Sequence, residues 1–389
     1  MPRILLVAPV PTHPSATGAS ARVRHMGDAL LSLGHEVHFL HLQQTLLESG
    51  LEMRRHWNDR LHVFRSLSPA SFVGRGRRKL VRVVGKTFHL NLPVDSYFDP
   101  EAARYLRTLL DTGGFDVVVV SYVFYSRLLA SVPDAVRKLI DTHDVFSDRY
   151  RLYRKHGQAN EFFSTGKSEE GKALDRADAV LAIQEWDAYH FRSLTTRPVA
   201  VVGHLAPVVE PAPAAGQAAR AMLFVGGPMG INVHGVNWFI QQVLPGVRRR
   251  VPDAELWLAG GIGARVPRDP PGVRRFGFVD SLADLYRRAA VVINPQQFGT
   301  GLSIKSVDAL LHGRPLVTTD SGARGLEDGA GIAFRQAGTA DQFGELLVAL
   351  LSDPGQAAGL ARRAAEFARA YHRRSLEALA DVVNVPARG

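Results

Sequence analysis

Apolar residues in the first half of the chain fall in short runs separated by stretches of helical period. The runs Ile4–Ala8, Val37–Leu40, Val117–Val120, Lys138–Asp141, Ala179–Ile183 and Ala200–Val202 predict strands. Several are continuously apolar, which fits strands covered by helices on both faces. Between the first two, residues 21–33 place Val23, Met26, Leu30 and Leu33 on one helical face. Gly34 fits the helix stop and Val37 opens the next strand, so the chain begins as a βαβ unit. The alternation resumes at Ala221, where a strand runs into Gly226-Gly227. Leu256–Ala259, Val291–Asn294, Pro315–Thr318 and Gly331–Phe334 predict further strands, and 356–383 a terminal helical region.

The stretch 207–220 interrupts this pattern with prolines and small residues, as a linker does. The predicted organisation is an N-terminal α/β domain over 1–206, a linker over 207–220, and a second α/β domain over 221–370. A C-terminal helix over 371–389 is expected to pack back on the first domain. A chain of 389 residues exceeds one ordinary core, in agreement with two domains. Open α/β sheets bind ligands at the carboxyl ends of their strands, and two such domains make the cleft between them the expected site.

Composition narrows the class. The chain is 46% hydrophobic and 22% charged, which is globular. It has no 18-residue apolar run to span a membrane. The N-terminus opens directly on a strand, so no signal peptide is expected. The absence of cysteine excludes disulfides, thiol nucleophiles and thiolate metal sites, and fits a reducing cytoplasm. The net charge of +10 favours acidic partners. The basic residues Arg75, Arg77, Arg78, Lys79, Arg82 and Lys86 are interleaved with leucine and valine. That patterning fits an anionic membrane surface, an acidic substrate or a plain solvated helix. Nucleic acid fits poorly, because few aromatics are near to stack on bases.

The segment Gln297–Val317 carries the most chemistry. Gly299 and Gly301 flank Thr300, then Leu302 leads into a short helix that ends at Gly313-Arg-Pro315. Such a loop lets a ligand approach backbone N–H groups, and the helix start favours phosphate. Lys305, Asp308 and His312 share one helical face and Ile304, Val307 and Leu311 another. Gly226 and Gly227 follow the first strand of the second domain, where phosphate loops occur, and Arg324 follows a later strand. In the first domain, Gly18 lies in the loop after the first strand. That loop is not a dinucleotide fingerprint, and no acid ends the second strand to hold a ribose. His143, in Asp141-Thr-His-Asp144, stands at a strand's carboxyl edge, where an imidazole can serve a sugar hydroxyl or a developing charge. One histidine and two carboxylates make a weak metal set.

Thr300–Val317 resembles the donor motif of family-4-type retaining glycosyltransferases with the GT-B architecture: α/β, two Rossmann-like domains facing across a cleft. Gly34-His-Glu-Val37, Asp141-Thr-His-Asp144, Ala182-Ile-Gln-Glu185, Phe224-Val-Gly-Gly227 and Val292-Ile-Asn-Pro295 resemble further family segments in the family's order. The resemblance implies sugar transfer from a nucleotide-sugar (UDP-, GDP- or dTDP-linked) to a hydroxyl acceptor, without an obligatory metal or other cofactor. It implies ribose and sugar contacts at Asp308 and Thr300; from the residues themselves, donor contacts are also expected at Gly18, Gly226, Gly227, Gly299, Gly301, Leu302, Lys305 and Arg324. His143 and Lys305 are the expected catalytic groups. Thr300 and Asp308 stand where the family commonly has two glutamates, and Gly226–Val236 lacks the family's Arg and Lys. Lys305 and Arg324 are therefore expected to neutralise the diphosphate. The expected acceptor is a surface polysaccharide, glycolipid or lipid-linked sugar, and the charge pattern of residues 73–88, taken alone, suggests docking on the inner membrane face from the cytoplasm. A nucleotide-sugar epimerase of the same fold and a catalytically inactive sugar-binding scaffold are the rival readings.

Overall fold

The computed structural model describes residues 1–15, 17–42, 50–65, 76, 83, 90–159, 162–209, 220–266, 270–279 and 281–384. The chain divides into two compact units, Met1–Leu205 with Arg374–Gly389, and Ala206–Arg373.

The first unit contains β1 (Arg3–Ala8), β2 (Glu36–Leu42), β3 (Leu61–Phe64), β4 (Val117–Ser121), β5 (Arg137–Asp141), β6 (Ala179–Ala182) and β7 (Val199–Val201). They form one parallel sheet in the order β3-β2-β1-β4-β5-β6-β7. Continuous apolar strands arise because successive side chains feed opposite faces. Leu5 and Val7 of β1 join one core cluster with Val118 and Val120 of β4. Ile4, Leu6 and Ala8 join the other with Val117 and Val119. Leu379 and Val383, from the end of the long helix Pro354–Asn384, belong to that second cluster.

The second unit contains β8 (Ala221–Val225), β9 (Glu255–Ala259), β10 (Val273–Gly277), β11 (Val291–Asn294), β12 (Leu316–Thr318) and β13 (Arg335–Gln336). They too form a parallel sheet, ordered β10-β9-β8-β11-β12-β13. Met222 and Phe224 pack with Leu256, Leu258, Ile293 and Val317, and with Phe239, Phe343 and Leu347 from helices. In both units the strand order reverses beside the first strand. A crevice opens at such a point because the flanking connections leave toward opposite faces.

The helix predicted over 21–33 spans Gly18–Ser32, starting earlier because the Thr17 side chain caps the Ser20 N–H. Gly34 takes the left-handed conformation expected of a helix stop, at φ +85°. Three strands differ from expectation. Edge strands β3 and β10 have no counterpart among the apolar runs. They are short and only partly buried, and they carry His62, or Arg274 and Arg275, where a central strand would be apolar. The strand expected over Gly331–Phe334 is instead a turn, in which the Ala333 N–H donates to the Gly329 carbonyl and the Gly331 N–H to the Phe334 carbonyl. Pairing with β12 begins only at Arg335. The linker residues 210–219 lie outside the described residues.

Candidate active site

The switch point of the second sheet lies between β8 and β11, so the loops leaving those strands border its crevice. After β8, Gly226 sits where a Cβ would come within 2.8 Å of the Phe224 ring and 3.1 Å of Asn232 Nδ2. Asn232, on the helix Gly230–Trp238, donates to the Gly227 carbonyl at 3.0 Å. After β11, Phe298 is buried and meets His234 edge-to-face, with ring centroids 5.4 Å apart. Gly299 follows at φ +155°, where a Cβ would collide with Gln296 Nε2, and Gly301 is left-handed at φ +71°. Only glycine holds this path without strain.

A buried polar network fixes the loop to the helix Ile304–Leu311. Asn294, at the end of β11, donates to Ser303 Oγ and Ser306 Oγ, both at 2.8 Å. Ser306 donates to the Gly322 carbonyl at 2.7 Å, and Thr318 to the Asn294 carbonyl at 3.0 Å. Because Ser303 is engaged with Asn294, its side chain makes no cap bond to the helix it precedes. The first turn thus keeps N–H groups for an anion.

Lys305 stands in this first turn. Its Nζ donates to Asn232 Oδ1 at 3.1 Å and lies 5.6 Å from the centre of the Phe224 ring. A little of its surface stays accessible, yet dense surroundings push its pKa down to about 8, against the upward pull of Asp308. Asn232 therefore ties the turn after β8 to the cation after β11. The Arg324 guanidinium, expected to face phosphate, donates through Nη1 to the Gly299 carbonyl at 2.5 Å and so also holds the loop. Leu302 is buried, while Thr300 and Asp308 are partly exposed. The helix ends with His312 stacked on Tyr286, centroids 4.2 Å apart.

In the first unit Gly18 opens the first helix and is exposed. The same helix carries Arg22, which is buried and bonded to Asp141 at the end of β5. His143 Nε2 lies 3.0 Å from Asp141 Oδ2, and the ring stacks on Tyr122 with centroids 4.0 Å apart. The loop beyond is held by buried Glu170, which accepts the N–H groups of Phe146 at 2.7 Å and Ser147 at 3.1 Å.

Sequence reasoning missed Asn232, Ser306, Arg22 and Glu170. Asn294 alone left a signal, an amide closing an apolar strand. Arg75, Arg77, Arg78, Lys79, Arg82 and Lys86 lie outside the described residues. Among the described residues, no three histidine, aspartate or glutamate groups could hold a metal, and no helix is long and apolar enough to cross a membrane.

Two family models match in succession: a glycosyl transferase 4-like domain over residues 17–204, and glycosyl transferases group 1 over residues 219–353. No curated protein sequence matches the chain. Among solved structures, the chain is similar to sucrose-phosphate synthase from Thermosynechococcus elongatus, at 15% identity and a TM-score of 0.67, covering 96% of this chain and 97% of that one. It is similar to TarM of S. aureus, solved with UDP, Fondaparinux and alpha-GlcNAc-glycerol, at 9% identity and a TM-score of 0.70, covering 99% and 100%. Alr3699/HepE of Anabaena, solved with UDP, matches at 13% identity and a TM-score of 0.62, covering 97% and 100%. The two sheets and their connections are those of the GT-B fold shared with these structures.

Proposed function

The chain belongs to the glycosyl transferases group 1, with a 4-like N-terminal domain, and on that premise we propose that Lys305 and the glycine loop hold the diphosphate of its nucleotide-sugar donor. One observation carries this reading: the Lys305 ammonium is fixed by Asn232 at the switch point, beside a helix start with no side-chain cap. As the glycosidic bond breaks, negative charge grows on the departing diphosphate. A preplaced ammonium and backbone N–H groups stabilise that charge without reorganising. Glycines 226, 227, 299 and 301 let phosphate approach the main chain. Arg324 shapes this cradle through Gly299, and Asp308 serves the ribose. The UDP in the TarM and HepE complexes supports a UDP-sugar as the first donor to test.

His143 of the first unit hydrogen-bonds a sugar hydroxyl or the developing charge. The acceptor is a hydroxyl, in a polysaccharide, glycolipid or lipid-linked sugar. Attack occurs on the face the leaving group departs from, with a phosphate oxygen taking the proton, so the anomeric configuration is retained. Lys305 supplies the charge that a metal ion provides in other transferases. The reaction runs on the cytoplasmic side, with the basic segment on anionic lipid.

The test is a donor panel read by thermal shift, followed by kinetics of Lys305→Ala. A bound donor raises the unfolding midpoint. Turnover should fall about a hundredfold, the loss typical of removing one charge-stabilising donor. Unchanged turnover at saturating donor overturns the reading. Donor conversion with no acceptor present would point to epimerase chemistry instead.

A further inference from the structure

Two neighbouring residues of the first unit take backbone conformations that side chains avoid. Tyr122, just after β4, has φ +74°, and His143, just after β5, has φ +62°. Non-glycine residues pay for such conformations and keep them where surrounding structure enforces them, most often at functional sites. Here they bring the two rings together, with an interplanar angle of 18°. The imidazole is nearly enclosed, its side chain 6% exposed.

Beneath it lies a charge pair that is more deeply buried. Arg22 Nε is 3.0 Å from both Asp141 carboxylate oxygens, and its Nη2 is 2.5 Å from Oδ1. The guanidinium also donates to the carbonyls of Gly203 at 3.0 Å and Val202 at 3.1 Å. Burial would raise the Asp141 pKa, but Arg22 and His143 outweigh it and hold the carboxyl well below its ordinary range. An ionised carboxylate only accepts hydrogen bonds, so an unprotonated nitrogen close to it is repelled and a protonated one attracted. That nitrogen is Nε2, 3.0 Å from Oδ2 though not aligned as a hydrogen bond, and with no other partner among the described residues. The other charged groups on this loop, Asp144 and Arg149, pair with each other.

We propose that Arg22 and Asp141 are positioning residues that hold His143 with its proton on Nε2, so that Nδ1 is the nitrogen offered to a sugar hydroxyl. The proposal rests on His143 contacting substrate, as read above. In its neutral form the ring then accepts a hydrogen bond from the hydroxyl at Nδ1, with no proton transferred, while Tyr122 fixes the ring plane and Asp141 its rotation. A purely structural Arg22–Asp141 pair, tying the first helix to β5, would set stability and leave the tautomer free.

The experiment uses the full chain labelled with ¹⁵N-histidine, recorded where imidazoles are neutral. The His143 signals are those lost in His143→Gln. The expected wild-type pattern is a single tautomer protonated at Nε2. In Asp141→Asn the ring should become a mixture. Turnover should fall roughly tenfold to a hundredfold, as when carboxylates that orient ligating histidines are removed, with donor affinity nearly unchanged. A wild-type ring protonated at Nδ1 overturns the proposal, and that measurement needs no variant to fold. So does a folded Asp141→Asn protein with unchanged tautomer and turnover. Wild-type turnover in His143→Gln would remove the substrate contact while leaving the tautomer result standing. An Nδ1-protonated ring with His143→Gln impaired would remove the positioning role alone.

Discussion

Lys305 Nζ donates to Asn232 Oδ1 at 3.1 Å, and the Asn232 amide donates in turn to the Gly227 carbonyl at 3.0 Å. One amide thereby sets both the cation and the glycine turn that border the same crevice.

Replacing Asn232 with alanine removes both bonds. A hydrogen bond to a charged group contributes about 1.5–3 kcal/mol, and a neutral one about 1 kcal/mol. Asn232→Ala should therefore lower stability by about 2.5–4 kcal/mol and, with Lys305 no longer fixed, weaken donor binding as well. Titration calorimetry and denaturant unfolding measure the two separately.

Donor affinity should depend on pH through Lys305. Its pKa of about 8 means the free protein holds the ammonium below that value and loses it above. Binding the diphosphate requires the charged form, so affinity should be level below about pH 8 and decline above it, at most tenfold per pH unit. Lys305→Arg stays charged and should abolish the decline. Without donor the sign reverses for stability. The folded pKa lies below the ordinary 10.5, so between about 8 and 10.5 the unfolded chain holds more protons, and this group adds stability as pH rises.

Two glycines should separate packing from ligand approach. At Gly322 a Cβ would collide with Thr318 Oγ1 and lie 2.5 Å from Asn294 Nδ2, within the network that anchors the donor loop. Gly322→Ala should cost about 1–3 kcal/mol of stability, the usual penalty of overpacking. At Gly227 no atom lies within 4 Å of such a Cβ. Gly227→Ala should leave the melting temperature unchanged and still reduce donor affinity, because the added methyl meets the ligand instead of the protein.

Chelation provides a fourth test. If Lys305 and helix N–H groups supply the charge at the diphosphate, incubation with EDTA followed by gel filtration should leave turnover intact. Restoration of lost activity by a divalent cation would contradict that reading.

Much of this protein is written locally. Apolar runs such as Ile4–Ala8 and Val117–Val120 are legible as buried strands because both faces of each strand feed a core. The donor loop is legible because glycines at 299 and 301 and the helix behind them are contiguous in sequence. The edge strands Leu61–Phe64 and Val273–Gly277 are not, since half-buried positions impose no apolar pattern. Nor does local pattern identify partners across the sheet. Asn232 meets Lys305 across 73 residues, and Arg22 meets Asp141 across 119. Strand order brings each pair together, and a polar residue's own neighbourhood does not encode which distant group will satisfy it. Periodicity and glycine placement act over a few residues, so the bare chain was enough to establish two α/β units and a phosphate-suited loop. That an asparagine holds the lysine, and that an arginine and an aspartate hold the histidine, emerges from the folded molecule alone, because those bonds exist only once the sheets have assembled.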